Sequence, residues 1–282
     1  MVKVGARSNK RNSPFSIKDS TTDGGLGAAS CIRDWNMTID LKGRIALVTG
    51  ASRGIGYFTA LALAKAGAHV IATARTVGGL EDLDDAIKAA GGTATLVPFD
   101  ITDMQAIDKL GASIFERWGK LDILVANAGI LGVISPLGHI EAKVFEKVML
   151  TNVTATWRLI RSVEPLLTKS DAGRAIIMSS GVASKAPAFW GAYSISKAAV
   201  ENMARIWAAE TNHTPLKVNV VNPGATRTAM RAQAVPGEDP ETLPHPSEVA
   251  EKILFLASPE TTDTGRLFVV RDNRFVDFRS PE

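Results

Sequence analysis

After Leu41 the chain alternates short apolar runs with longer stretches of mixed polarity. RIALVT at 44–49, AHVIATA at 68–74, TATLVPF at 93–99, ILVAN at 123–127, AIIMS at 175–179 and KVNVV at 217–221 are β-branched and nearly all apolar. A run without a polar face has no solvent side, so these segments read as strands buried on both faces, as in a parallel sheet. Helix-length segments lie between them, at about 54–66, 78–90, 103–118, 141–168, 191–211 and 247–257. Strict alternation of strand and helix predicts right-handed crossovers and a doubly wound α/β sheet. Residues 264–270, TGRLFVV, supply a seventh strand. No repeat of solenoid period and no second domain is visible, so residues 37–282 are expected to form one domain.

Residues 1–36 lack any helical or strand period and are rich in Ser, Asn, Gly and charge, which predicts a disordered extension. This segment also changes how the net charge of +3 is read. It holds six Lys/Arg against three Asp, while the remaining 26 basic and 26 acidic residues cancel. The folded part is neutral by count and lacks the basic face of a nucleic-acid binder. The start is similar to a transit peptide, but Pro14, the acids and Gly24-Gly25 interrupt any amphipathic helix. Met37, directly before the first strand, is the simpler alternative start, and the expected location is the cytoplasm. Among the 282 residues no apolar run is long enough to span a bilayer, and Cys31 is the sole cysteine, which excludes internal disulfides and thiolate metal sites.

Candidate chemistry begins directly after the first strand, at Thr49-Gly50-Ala51-Ser52-Arg53-Gly54-Ile55-Gly56. Glycines there let the backbone turn tightly and approach a pyrophosphate, and the following helix offers free N–H groups. The spacing Gly-x3-Gly-x-Gly differs from the generic Gly-x-Gly-x-x-Gly, so the strand–loop–helix context carries the nucleotide reading. At the end of the second strand, Thr73-Ala74-Arg75-Thr76 lacks the acid that would hold a ribose 2′-hydroxyl. Arg75 and Arg53 could instead neutralise a 2′-phosphate, which favours NADP(H) over NAD(H).

Tyr193 and Lys197 are four apart on a predicted helix and share a face. A Lys ammonium beside a phenol favours phenolate, so Tyr193 is expected to exchange a proton near neutral pH. Ser180 ends a buried strand, where ligand sites of open α/β sheets gather, and its hydroxyl can donate to a carbonyl oxygen.

This combination resembles the short-chain dehydrogenase/reductase family in its single-domain form, from about Leu41 to Ser258. The resemblance implies a Rossmann-type, mainly parallel seven-stranded sheet with helices on both faces. It also implies that Gly50, Ser52, Arg53, Gly54, Ile55 and Gly56 bind the cofactor, with Asp100 and Ile101 near the adenine. Asn127-Ala128-Gly129 matches the strand-four motif, except that Ala126 stands where an Asn is usual. Asn152 is similar to the family's helix Asn, whose backbone carbonyl positions a water in a proton relay. With Ser180, Tyr193 and Lys197 it completes a tetrad: Tyr193 the acid/base, Ser180 polarising the carbonyl, Lys197 binding nicotinamide ribose and lowering the Tyr193 pKa. Pro223, Gly224 and Thr228 match the segment after strand six, with Thr228 near the carboxamide. Arg271-Asp-Asn-Arg-Phe replaces the family's Asp-Gly-Gly ending.

The implied function is hydride transfer between NADP(H) and a carbonyl or secondary alcohol, in a homo-oligomer built through the helices that contain Asn152 and Tyr193. A 3-oxoacyl thioester (acyl-carrier-protein) reductase is one specific form of that reading. A non-catalytic NADP(H)-sensing protein is the alternative from another class, although it would not need the tetrad. The four histidines lack metal-ligand spacing. Phe189 and Trp190 are equally compatible with packing and with a substrate pocket, and residues 229–246 have the composition of a mobile lid.

Overall fold

The computed structural model describes residues 39–278, so the extension expected over residues 1–36 lies outside the described residues. Seven parallel strands run β1 (Ile45–Thr49), β2 (His69–Ala74), β3 (Thr93–Pro98), β4 (Ile123–Ala126), β5 (Arg174–Met178), β6 (Lys217–Asn222) and β7 (Leu267–Val269). An eighth, β8 (Arg274–Val276), pairs antiparallel with β7 and gives the order β3-β2-β1-β4-β5-β6-β7-β8. The expected count of seven strands is therefore corrected to eight. Asn273, at φ 51°, turns the chain back where the Asp-Gly-Gly ending would have stood. A three-residue strand is too short to show a period, and Asn is among the few residues that accept that conformation.

The strands are apolar on both sides because both sides are covered. Ile45 and Leu47 point into one core with Ile107 and Ile114 of α3 (Met104–Trp118), Leu159 and Val163 of α5 (Ala155–Leu167), and Val200 and Trp207 of α7 (Gly191–Glu210). Ala46 and Val48 point to the other side, against Leu63 of α1 (Gly54–Lys65), Leu83 of α2 (Val77–Ala89) and Ile253 of α9 (Pro246–Leu256).

The segment expected as one helix over 141–168 is α4 (Ala142–Met149), a π-helical turn at Leu150–Thr154, and α5. Residues 229–246, expected as a loop, contain α8 (Ala229–Ala234) and a 3-10 turn at Pro240–Thr242. A four-residue α6 (Val182–Lys185) completes the helices. From β1 the chain winds outward to β3 and returns to β4 on the other side of β1, opening a crevice at the carboxyl ends of β1 and β4.

Candidate active site

The glycine loop lies in that crevice. Gly50 has φ +68°, and a Cβ there would meet the Ala128 backbone and the Asn127 amide at 3.0 Å. A Cβ on Gly56 would be driven into the Gly50 carbonyl, so both positions are closed to any side chain. Asn127 Nδ2 donates to the Thr49 carbonyl at 2.9 Å, and the Asn127 and Ala128 N–H groups both donate to Thr49 Oγ1 at 3.0 Å. These bonds tie the loop to the end of β4 without using Ala126, whose place in the motif is thus tolerated. The N-terminus of α1 faces one cleft of about 2400 Å³, lined by Gly50, Ser52, Arg53, Gly54 and Ile55. That exceeds the roughly 300–1,000 Å³ of a small-ligand pocket and leaves room for two ligands.

Arg53 and Arg75 are both exposed at the same end of the cleft. Arg75 lies 3.6 Å from Asp100, a pairing the sequence did not disclose. Burial pushes the Asp100 carboxyl up, but hydrogen bonds from Thr102 (2.9 Å from its N–H, 2.8 Å from Oγ1) and the Arg75 charge hold it below the usual range. Ile101 follows Asp100 on the cleft wall.

The other end of the cleft holds the tetrad candidates. Tyr193 and Lys197, on the first turns of α7, are 8% and 6% exposed. Lys197 Nζ donates to the Met178 carbonyl at 2.7 Å and lies 5.7 Å from the Tyr193 ring centre. Burial lowers the Lys197 ammonium to about 8, against an opposing pull from Glu201. Burial also pushes the Tyr193 phenol up to about 12, and the Ser180 hydroxyl offsets only part of that. Burial is the larger influence on the phenol, and the Lys197 ammonium is turned toward the Met178 carbonyl.

Asn152 sits in the π-helical turn. Its side chain closes a pair of 2.9 Å bonds with the Ile130 backbone and donates to Ser196 Oγ, also at 2.9 Å. Ser196 Oγ in turn donates to the Tyr193 carbonyl at 2.7 Å, which joins the turn to α7. The Asn152 carbonyl accepts from Thr156 Oγ1 at 2.8 Å. Gly129 lines the cleft where a Cβ would stand 3.2 Å from Asn152 Oδ1 and 3.7 Å from Lys197 Nζ.

Pro223 and Gly224 follow β6 on the cleft wall, Gly224 with φ +74°. Thr228 accepts the Arg231 N–H as the N-cap of α8, and a Cβ on Gly54 would lie 3.5 Å from its methyl. That brings the segment after β6 over the phosphate loop. Arg231 bonds Glu238 at 2.6 and 2.7 Å, and Gln233 Nε2 reaches the Gly132 carbonyl across the cleft at 3.4 Å.

Val133, 41% exposed, lines the cleft together with Lys143 and Lys147, while Leu137 (61%) and Phe189 (56%) are exposed apolar residues outside its lining. Their two segments are joined by the Ser135 N–H, which donates to the Phe189 carbonyl at 2.9 Å. Trp190 lines the cleft with its ring centre 6.3 Å from that of Tyr193, so it belongs to the site.

Of the sequence-predicted residues, all but Gly56, Asn152 and Phe189 line this one cleft, and Gly56 and Asn152 support it through Gly50 and Ile130. Missed were the Met178 carbonyl, Ser196, Thr156 and the Ser179–Glu201 pair. Carbonyls carry no sequence signal, but Glu201, four residues after Lys197, carried one in its spacing.

Comparison with known proteins is consistent across sequence and structure. Residues 44–239 match the family model described as short chain dehydrogenase. The chain is 37% identical over 238 residues to the uncharacterized oxidoreductase YciK of Escherichia coli (strain K12), covering 83% of this chain and 94% of that protein. It is 34% identical over 230 residues to the 3-oxoacyl-[acyl-carrier-protein] reductase FabG of Vibrio harveyi, covering 79% and 93%. A crystal structure of a short chain dehydrogenase from Escherichia coli CFT073 complexed with NADPH superposes with TM-score 0.80 at 37% identity, covering 83% of this chain and 99% of that one.

Proposed function

The chain belongs to the short-chain dehydrogenase family, and on that premise we propose that it is an NADP(H)-dependent reductase of carbonyl groups that carry apolar substituents. The cradle closed to side chains at Gly50 and Gly56, with Arg53 and Arg75 at its far end, fits a dinucleotide bearing a 2′-phosphate. Arg75 is already beside Asp100, and a guanidinium with five donors can serve that carboxylate and a phosphate together. The relative bound to NADPH supports the same choice. In this reading Asp100, Ile101, Asn127, Ala128, Gly129, Pro223, Gly224 and Thr228 line the cofactor's path. When bound, the dinucleotide supplies the hydride equivalent.

The protein's own work is done at the carbonyl oxygen. Ser180 donates a hydrogen bond to it, and Tyr193 transfers its Oη proton as negative charge develops there. The single observation that carries this reading is the buried Tyr193 phenol beside Ser180 on the wall of the same cleft as the glycine cradle. The phenolate left behind is stabilised by the Lys197 ammonium, and Asn152 is the residue that would place a water for reprotonation. Trp190 and Val133 on the cleft wall offer an apolar surface for the substrate's remainder, with Phe189 and Leu137 exposed next to Trp190 and Gly191. Exposed Trp157 on α5 and Ile206 on α7 support the homo-oligomer proposed through those helices.

A specific 3-oxoacyl thioester reductase is the second reading, favoured by that apolar surface and by the likeness to FabG. The test is NADPH oxidation across a panel of aryl and alkyl ketones, 3-oxoacyl thioesters and aldose sugars. Turnover of the apolar carbonyls is expected, and turnover of sugars alone contradicts the proposal.

A further inference from the structure

Three consecutive residues at the end of β5 each engage one residue of a single face of α7. The Met178 carbonyl accepts from Lys197 Nζ at 2.7 Å, Ser179 Oγ donates to Glu201 Oε1 at 2.7 Å, and the Ser180 hydroxyl faces the Tyr193 phenol. Tyr193, Lys197 and Glu201 are spaced by four along the helix and so lie one above another. Glu201 has no place in the chemistry proposed above, yet it is 9% exposed. A buried carboxylate is costly unless an opposite charge or donors answer it, so its presence behind Lys197 calls for a reason.

We propose that Glu201 is a positioning residue that keeps the Lys197 ammonium protonated and directed at the strand end while its partner Ser179 fixes the backbone that presents Ser180. The inference rests on the reading of Tyr193 and Lys197 given above. Lys197 is only 6% exposed, and in such a place burial lowers its ammonium pKa, so a compensating anion helps it keep its charge. The groups facing Glu201 are Lys197 and Arg205 from α7 and the Ser179 hydroxyl from the β5 end. Arg205 is exposed at the surface side, whereas Lys197 lies on the cleft side, so the carboxylate couples a buried cation to a solvated one. Burial raises the Glu201 carboxyl, and Ser179, Lys197 and Arg205 each oppose that rise.

The test is a titration of the Lys197 ε-carbon by NMR in the 13C-lysine-labelled full chain, free of cofactor, for the native protein, Glu201→Gln and Ser179→Ala. Gln keeps the shape and relieves the burial of charge, so a folded variant is expected. The Lys197 midpoint should fall by about one pH unit in Glu201→Gln, and the alkaline limb of NADPH-dependent reduction should move with it. Ser179→Ala, which removes one donor and no charge, should lower kcat with a smaller displacement of the midpoint. An unmoved midpoint in a folded Glu201→Gln overturns the proposal, even with reduced activity. Tyr193→Phe assayed beside it separates the two levels: full activity there overturns the underlying reading, whereas an inactive Tyr193→Phe with an unmoved Lys197 midpoint overturns the role of Glu201 alone.

Discussion

The two ends of the same sheet treat buried charge in opposite ways. At the amino ends of β1 and β4, Asp122 is fully enclosed and accepts from the Ile45 N–H at 2.9 Å, Ser170 Oγ at 2.6 Å, Lys120 Nζ at 2.8 Å and Arg44 Nη1 at 3.2 Å. Arg174, at the start of β5, spends its guanidinium on the carbonyls of Gly173, Pro215, Ser258 and Pro259. Burial pushes Asp122 up, but bonds from Lys120, Ser170 and Ile45 hold it below the usual carboxylate range. At the carboxyl ends, Lys197 makes one hydrogen bond, to Met178, and Tyr193 is left an exceptionally weak acid beside an open cleft. A buried polar group whose capacity is filled fixes the fold, while one with capacity to spare is ready for a ligand. The contrast separates scaffold from chemistry without reference to any relative.

Substitutions at the two ends should therefore fail in different ways. The largest effect belongs to Tyr193→Phe, which should cut carbonyl reduction by about 10²- to 10⁴-fold and leave thermal stability and NADPH affinity near those of the native protein. Asp122→Asn is its converse. It leaves Arg44 and Lys120 facing a neutral amide and should cost about 3 kcal/mol of stability, read by urea denaturation, with turnover per folded molecule unchanged. The same carboxylate sets an acid limit. Its folded pKa is depressed, so its contribution is full above the ordinary value near about 4 and is lost as pH falls below it. Native unfolding curves should accordingly weaken in that range, and those of Asp122→Asn should weaken less.

Arg75→Ala probes the far end of the cleft. The side chain is 59% exposed, so screening tempers its effect, and NADPH affinity should drop about tenfold relative to NADH. An unchanged preference would remove Arg75 from the phosphate site. Smallest is Phe189→Gly. Phe189 holds φ 73°, a conformation that costs an ordinary residue about 1 kcal/mol or more. Glycine relieves that strain, so stability should change by less than about 1 kcal/mol, while KM for apolar ketones rises several-fold through lost contact. Unaltered KM would show that the exposed ring does not meet substrate.

Much of the carboxyl end was legible because its requirements act on residue type. Only glycine serves at Gly50 and Gly56, and a phenol four residues from a lysine on one helix face leaves a mark in spacing. The π-helical turn at Leu150–Thr154 left none, since its residues are ordinary helix formers and only the tertiary tie from Asn152 to Ile130 selects it. Short α8 escaped for a different reason: Ala229–Ala234 holds good helix formers, but the prolines and glycine from Pro236 onward set the reading of the whole segment, and the Arg231–Glu238 pair that braces the helix is visible only in three dimensions. The Tyr193 phenol shows the limit most clearly: the spacing to Lys197 shows that the two share a helix face, whereas the depth of burial that pushes the phenol up is not encoded in spacing.

The central claim is that the carboxyl end reduces a carbonyl with a proton from Tyr193. It is tested most directly by incubating the protein with an apolar ketone and NADPH deuterated at the nicotinamide C4, and measuring deuterium at the carbinol carbon of the product. The account predicts one deuterium per product molecule with the native chain and with Asp122→Asn, and almost no product with Tyr193→Phe. Label-free product, or equal labelled product from Tyr193→Phe, would contradict it.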